Sequence, residues 1–140
     1  MLRYPLLHPP LLASLAATGH GSRILIADAN YAHATNVAPT AEVIYLNLRP
    51  GLVGIDDILS TLLTAVPLEA VHTMRPDDGT TPEFWQDYER LLGPDLPLEP
   101  LERLEFYRTC REPDLALCIA SGDTRHYANL LLTVGFLPPG

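Results

Sequence analysis

The sequence predicts a single-domain α/β fold, and three observations carry that reading. Short, continuously apolar runs such as Ile24-Leu25-Ile26-Ala27 recur along the chain, the pattern of strands covered on both faces. Segments with helical spacing separate them. The 140 residues contain no repeat, linker or low-complexity tract and match one ordinary domain in length. A domain of that size buries roughly two-thirds of the surface its unfolded chain exposes and needs no staples.

The elements follow in order. Pro9-Pro10 opens a first helix, because proline suits the first turn; Leu11, Leu12, Leu15 and Ala16 give it an apolar face up to Thr18, and Gly19 ends it. After the turn His20–Arg23 comes the strand Ile24–Ala27, which ends at Asp28. Ala29–Thr40 reads as a loop and Val43–Leu48 as a second strand. Gly54–Ala65 has helical spacing, with Asp56 and Asp57 in the first turn where carboxylates complement the helix dipole. Leu68–Met74 is a third strand, Arg75–Gly79 a turn, and a helix starts at Thr81-Pro82-Glu83 and runs to about Leu92. Gly93–Pro100 holds three prolines and is expected to be a loop. Leu101–Arg111 is expected to be helical, Leu115–Ala120 a strand and Ser121-Gly122-Asp123 a turn. Tyr127–Val134 is apolar and fits helix or strand, and the proline-containing Phe136–Gly140 cannot be a helix.

Composition excludes several functions. The net charge of −8 and the scattered basic residues leave no stripe for phosphates, so no nucleic-acid partner is expected. All nine basic residues are Arg, which excludes imine chemistry through a lysine. Apolar residues make up 47% and charged residues 19%, which leaves room for subunit contacts. Cys110 and Cys118 lack CxxC spacing and are expected to be reduced thiols, Cys118 as a small hydrophobe in an apolar run. Leu11–Ala17 behind Arg3 faintly resembles a signal peptide, but His8-Pro9-Pro10 breaks the run and no stretch reaches membrane-spanning length. The expectation is a cytoplasmic protein with no membrane partner. The histidines show neither HxH nor HExxH, no phosphate-loop fingerprint is present, and neither a metal nor a cofactor is expected.

Open α/β sheets bind ligands at the carboxyl ends of their strands, and two segments are read as such ends. The first joins Gly19-His20-Gly21 to Asp28. An imidazole and a carboxylate in one pocket are the minimum kit for proton transfer near neutral pH, and the glycines allow close backbone approach. Spacing leaves open that His20 is a surface turn residue and that Asp28 only caps a loop. The second is Ser121–Asn129, where Tyr127 and Asn129 supply hydroxyl and amide groups suited to sugar hydroxyls. Here too the bland alternative stands, with Asn129 satisfying turn backbone and Tyr127 in the core. Arg103 alone would be an ordinary exposed arginine. Trp85, on a helix with Phe84 and Tyr88, is assigned to the core or a subunit contact ahead of sugar stacking.

Together these segments resemble a known family. Gly19-His20-Gly21-Ser22 before an apolar strand into Asp28-Ala29 resembles the opening of the sugar mutarotase family of D-ribose pyranase and L-fucose mutarotase. Tyr127-Ala128-Asn129 before Leu130-Leu131-Leu132 and Gly135 resembles that family's C-terminal motif, and Arg103 with Phe106-Tyr107 resembles a stretch of the fucose branch. The resemblance runs from about Leu6 to Phe136. It implies a mixed sheet with helices on its faces, in a ring-like homo-oligomer such as a decamer with sites near subunit boundaries. It further implies His20 as catalytic acid/base, with Asp28, Arg103, Tyr127, Ala128 and Asn129 binding a monosaccharide. The fucose branch usually has a proline-containing loop after Asp-Ala, whereas this chain has Asn30-Tyr31-Ala32-His33, and the stretch between Tyr107 and the final strand is about two residues long of the pattern.

The implied reaction is anomer exchange of an L-fucose-like pyranose. A proton leaves the anomeric hydroxyl and one reaches the ring oxygen, with His20 transferring it and water or Tyr127 completing the relay. Interconversion of ribose pyranose and furanose is the alternative within the family. A sugar-binding or regulatory protein without turnover is a second, and a structural oligomer without ligand a third. The last predicts that Asp28, Arg103 and Tyr127 do not converge.

Overall fold

A computed structural model describes residues 1–140. The chain forms strands β1 (Arg23–Ala27), β2 (Glu42–Tyr45), β3 (Leu68–Met74), β4 (Leu98–Leu101), β5 (Leu115–Ala120) and β6 (Leu130–Val134). Its helices are α1 (Pro9–Ala16), α2 (Ile55–Leu63), α3 (Trp85–Leu92) and α4 (Arg103–Cys110). The strands build one mixed sheet in the order β2-β5-β1-β6-β3-β4. Strand β6 is antiparallel to both β1 and β3, and the β1–β5, β2–β5 and β3–β4 pairs are parallel, so β6 alone runs against the rest. No helix is long and apolar enough to cross a membrane.

The apolar runs form strands because both sheet faces are covered. Ile24, Ile26, Leu117, Ile119, Leu130 and Leu132 point into one core with Leu11 and Leu15 of α1, Ile55, Leu59 and Leu62 of α2, and Trp85 and Tyr88 of α3. The alternate residues Leu25, Ala27, Cys118 and Leu131 point into the other, with Phe106 and Cys110 of α4 and with Tyr31 and Ala38 from the loop after β1. Each such aliphatic side chain contributes about 1.5–3 kcal/mol by its burial. The segment left open between helix and strand resolves as β6, filling the slot between β1 and β3.

Four boundaries depart from expectation. Residues 98–101, expected to be loop, form edge strand β4 on β3, with Pro100 opposite Thr73; an edge strand is where a sheet tolerates proline. Strand β2 stops at Tyr45, and α3 starts at Trp85 behind turns at residues 83 and 84. Helix α4 starts at Arg103, because Leu101 belongs to β4. Two helix starts are held from their side: His8 Nδ1 accepts from the Leu11 amide at 3.2 Å, and Asp123 Oδ2 accepts from the Ile55 amide at 3.1 Å.

Strand direction fixes where each loop opens. The carboxyl ends of β1, β3, β4 and β5 share one sheet edge with the amino end of β6. The amino ends of β1 and β3 share the opposite edge with the carboxyl end of β6.

Candidate functional site

At the carboxyl edge a cavity of about 200 Å³ opens between β1, β3, β4 and β6. Asp28 and Asn129 line it, with Asn30 and Tyr31 from the loop after β1 and Met74 from the end of β3. Arg103 and Tyr107 of α4 and His126 and Tyr127 from the β5–β6 connection complete the wall. Pockets for drug-sized ligands run to about 300–1,000 Å³, so this one suits a small ligand. A larger hollow of about 680 Å³ lies along α3 and the edge at β4, but Arg90 and Glu89 are its only charged side chains and no reactive cluster faces it.

Asp28 is 5% exposed, with Oδ1 accepting from the Asn30 amide at 2.9 Å. Burial raises its carboxyl above the usual range, although amide donors from Asn30 and Tyr31 pull the other way and the Asp123 charge adds a smaller upward push. Asn129, 4% exposed, accepts from the Asp28 amide through Oδ1 at 2.7 Å, which ties the end of β1 to the start of β6. Arg103 sits over the Tyr107 ring with its guanidinium 6.0 Å from the centroid, and Nε is 3.4 Å from Asp77 Oδ2, whose charge raises the arginine's pKa further. Tyr31 packs 5.7 Å from Tyr107 and donates to the Asn36 carbonyl at 2.6 Å. His33 lies with Nε2 3.2 Å from the Asp28 carbonyl oxygen.

The Tyr127-Ala128-Asn129 turn is clamped from behind. Tyr127 has φ +60°, a left-handed conformation that side chains larger than glycine rarely hold without support. Trp85 Nε1–H donates to the Tyr127 carbonyl and the Tyr88 hydroxyl to the Ala128 carbonyl, each at 2.9 Å. Buried Trp and Tyr need partners for their polar ends, and α3 meets that need on this turn. Upstream, Arg125 donates to Asp123 through Nε at 3.0 Å and Nη2 at 2.7 Å, and to Asp56 at 2.8 Å, with its guanidinium 4.3 Å from the Phe84 centroid. Burial would raise the Asp123 carboxyl, yet the Arg125 and Ile55 donors hold it below the usual carboxylate range. Gly122 leaves no room for a side chain: a Cβ there would stand 1.9 Å from the Leu52 carbonyl oxygen.

The sequence-predicted residues therefore divide. Asp28, Arg103, Tyr127 and Asn129 converge on one cavity, against the reading of a structural oligomer without ligand. Ala128 is fully buried and contributes through its carbonyl to Tyr88 rather than by lining the wall. His20 is not there. It precedes β1 at the amino edge, with Nε2 2.9 Å from Glu69 Oε2 and its ring 5.2 Å from that of Phe136. The five residues of β1 alone separate it from Asp28 by roughly 16 Å. The expectation of His20 and Asp28 in one pocket thus fails within a single chain, because a strand carries them to opposite edges. Trp85 is 3% exposed and belongs to the core, as assigned. Its hydrogen bond to the turn, the same role in Tyr88, and the wall positions of Tyr31, Met74 and His126 are functions the sequence reading missed; the aromatic trio at 84, 85 and 88 was the available signal.

Both cysteines are buried free thiols, which burial pushes up to about 11 for Cys110 and about 12 for Cys118. No group of three or more His, Cys, Asp or Glu side chains lies close enough together to hold a metal ion.

A mixed sheet with a small polar and aromatic cavity at its carboxyl edge defines the class: an α/β domain with one cavity suited to a small polar ligand. Comparison with known proteins gives the family. Residues 1–137 match the RbsD / FucU transport protein family, and the chain belongs to it. It is 32% identical to the fucose mutarotase of Danio rerio over 148 residues, covering 95% of this chain and 91% of that one. Among solved structures, Bacillus subtilis RbsD complexed with D-ribose superposes with a TM-score of 0.85 at 28% identity, covering 99% and 100% of the two chains. The fucose mutarotase in complex with L-fucose from Streptococcus pneumoniae gives 0.81 at 27% identity, with the same coverage.

Proposed function

We propose that this chain is a cofactor-independent sugar isomerase, a mutarotase that exchanges the anomers of an L-fucose-like pyranose. The observation that carries the proposal is the convergence of Asp28, Arg103, Tyr127 and Asn129 on one small cavity in a member of this family. The fucose mutarotases among its relatives support the reaction and the sugar class. The D-ribose complex of the B. subtilis relative supports a second reading, exchange between ribose pyranose and furanose.

The chemistry asks for binding and two proton contacts. Asp28 and the Asn129 amide hold sugar hydroxyls, and Arg103 binds hydroxyls or an oxygen on which negative charge develops. A positioned acid/base adds about 10²–10⁴-fold. His20 is assigned that role from a second copy of the chain, since its own cavity lies a strand's length away. Two features support this arrangement. The imidazole side chain is 56% exposed, and the exposed Phe136 ring 5.2 Å from it leaves an apolar surface for a second copy to cover. The proposal is thus a homo-oligomer, ring-like as the resemblance implies, in which each site takes His20 from a neighbour. The cytoplasm is its proposed setting.

Complementation tests this directly. The variants His20→Ala and Asn129→Ala should each lose exchange, and co-expressed they should regain part of it, because mixed oligomers contain sites with both residues intact. Near-normal exchange in His20→Ala would sink the assignment. No recovery in a mixed oligomer verified by mass spectrometry would sink the shared site.

A further inference from the structure

Anomer exchange needs a group at the anomeric hydroxyl and another at the ring oxygen, and His20 supplies one. We infer that His126 is the second proton carrier of the site, acting from the chain that holds the sugar; this rests on the mutarotase reading above.

Four of the five histidines are engaged elsewhere. His8 caps α1, His20 faces Glu69, His33 lies against the Asp28 carbonyl, and His72 Nδ1 is 3.2 Å from the Glu99 carbonyl oxygen. His126 alone lines the cavity, and neither of its ring nitrogens has a partner within the chain.

Its backbone is nevertheless fixed from both sides. The residue before it, Arg125, is locked onto Asp123 and Asp56, and the residue after it, Tyr127, is held in its left-handed conformation by Trp85. An exposed side chain between two clamped neighbours is presented at a defined place while its ring nitrogens stay free for a ligand. The titratable and charged groups that share the cavity are Asp28, Tyr31, Arg103, Tyr107 and Tyr127. Burial holds the Tyr31 phenol protonated and Arg103 keeps its charge, so neither exchanges protons readily. Asp28 is engaged by the Asn30 amide. An imidazole can take or give a proton near neutral pH, which makes it the side chain suited to a reaction whose roles reverse at each turnover.

In the opening step neutral His126 takes the proton of the anomeric hydroxyl. The electron pair left on that oxygen forms the carbonyl, and the bond from the anomeric carbon to the ring oxygen breaks. The ring oxygen keeps that bond's pair and takes a proton from the imidazolium of His20 of a second copy. After rotation about the bond next to the aldehyde, both transfers run backwards on the other face, and each histidine recovers its starting state.

The test compares wild type, His126→Gln and His126→Ala by saturation-transfer NMR on L-fucose and D-ribose, with sugar affinity measured separately by calorimetry. His126 is exposed, so both variants are expected to fold, and circular dichroism checks this. His126→Gln should lower the maximal exchange rate by about tenfold or more while affinity changes less, and one limb of the pH–rate profile should vanish. Added imidazole should restore part of the rate in His126→Ala. A fall smaller than about tenfold with the wild-type pH profile, or weakened affinity at an unchanged maximal rate, overturns the role of His126 alone. Wild-type protein that binds these sugars without exchanging them overturns the mutarotase reading, and this inference with it.

Discussion

Tyr88→Phe isolates the brace behind the Tyr127-Ala128-Asn129 turn. Tyr88 is fully buried, and its hydroxyl donates to the Ala128 carbonyl at 2.9 Å. The phenyl ring fills the same space, so packing is kept and only the hydrogen bond is removed. A buried carbonyl left without its donor costs about 1–3 kcal/mol. For a domain near this size that lowers Tm by about 2–4 °C per kcal/mol. It should also shift the urea midpoint with an unchanged slope, because the surface exposed on unfolding does not change. Sugar affinity should weaken as well, since Asn129 follows directly on the loosened carbonyl. Trp85→Phe removes the neighbouring bond to Tyr127, and the two losses should not add, because both act on one turn. A stability change under about 0.5 kcal/mol with unaltered sugar affinity would refute the claim that α3 holds this turn.

Two further predictions concern the carboxylates. Asp123→Ala removes both the α2 cap and the Arg125 anchor and should cost about 2–3 kcal/mol near neutral pH, a discounted figure because Arg125 is one-third exposed and keeps Asp56. Because the Asp123 pKa is depressed in the folded state, its contribution is present above the unfolded value and fades as pH falls through the folded one. Urea titrations of both proteins at acid and neutral pH should therefore converge at acid pH; a constant difference would contradict the ion-pair account. Asp28 carries the opposite sign. Its folded pKa is raised, so native protein loses stability as pH climbs from the usual carboxylate range through the raised value. Asp28→Asn should gain stability relative to wild type over that climb while binding sugar more weakly. A wild-type-like pH dependence in the variant would show that Asp28 is not the group responsible.

How far the site could be read in advance follows from the range over which each feature is encoded. Ile24–Ala27 and Leu115–Ala120 identified themselves as strands, because burial on both faces writes a local apolar run. Leu98–Leu101 did not: its prolines signal loop, and only the free side of an edge strand makes them tolerable. Asp28, Tyr127 and Asn129 were found because motif and strand end coincide in sequence. His20 was expected in one pocket with Asp28 and lies at the opposite edge, since nearness along the chain hides the strand that parts them. Met74 and His126 come to the cavity through the register of β3 on β6 and through the Arg125 clamp. Neither pairing leaves a local trace. Trp85 and Tyr88 read as core and are core, but the direction of their polar ends depends on where α3 settles against the β5–β6 connection.

The central claim is that the chain exchanges sugar anomers. Saturation-transfer NMR on L-fucose at equilibrium measures it most directly, by irradiating one anomeric proton and following the other. The account predicts transfer well above the uncatalysed rate, abolished in Asn129→Ala and His20→Ala. Transfer at the uncatalysed rate with L-fucose, D-ribose and every other monosaccharide tried would contradict it.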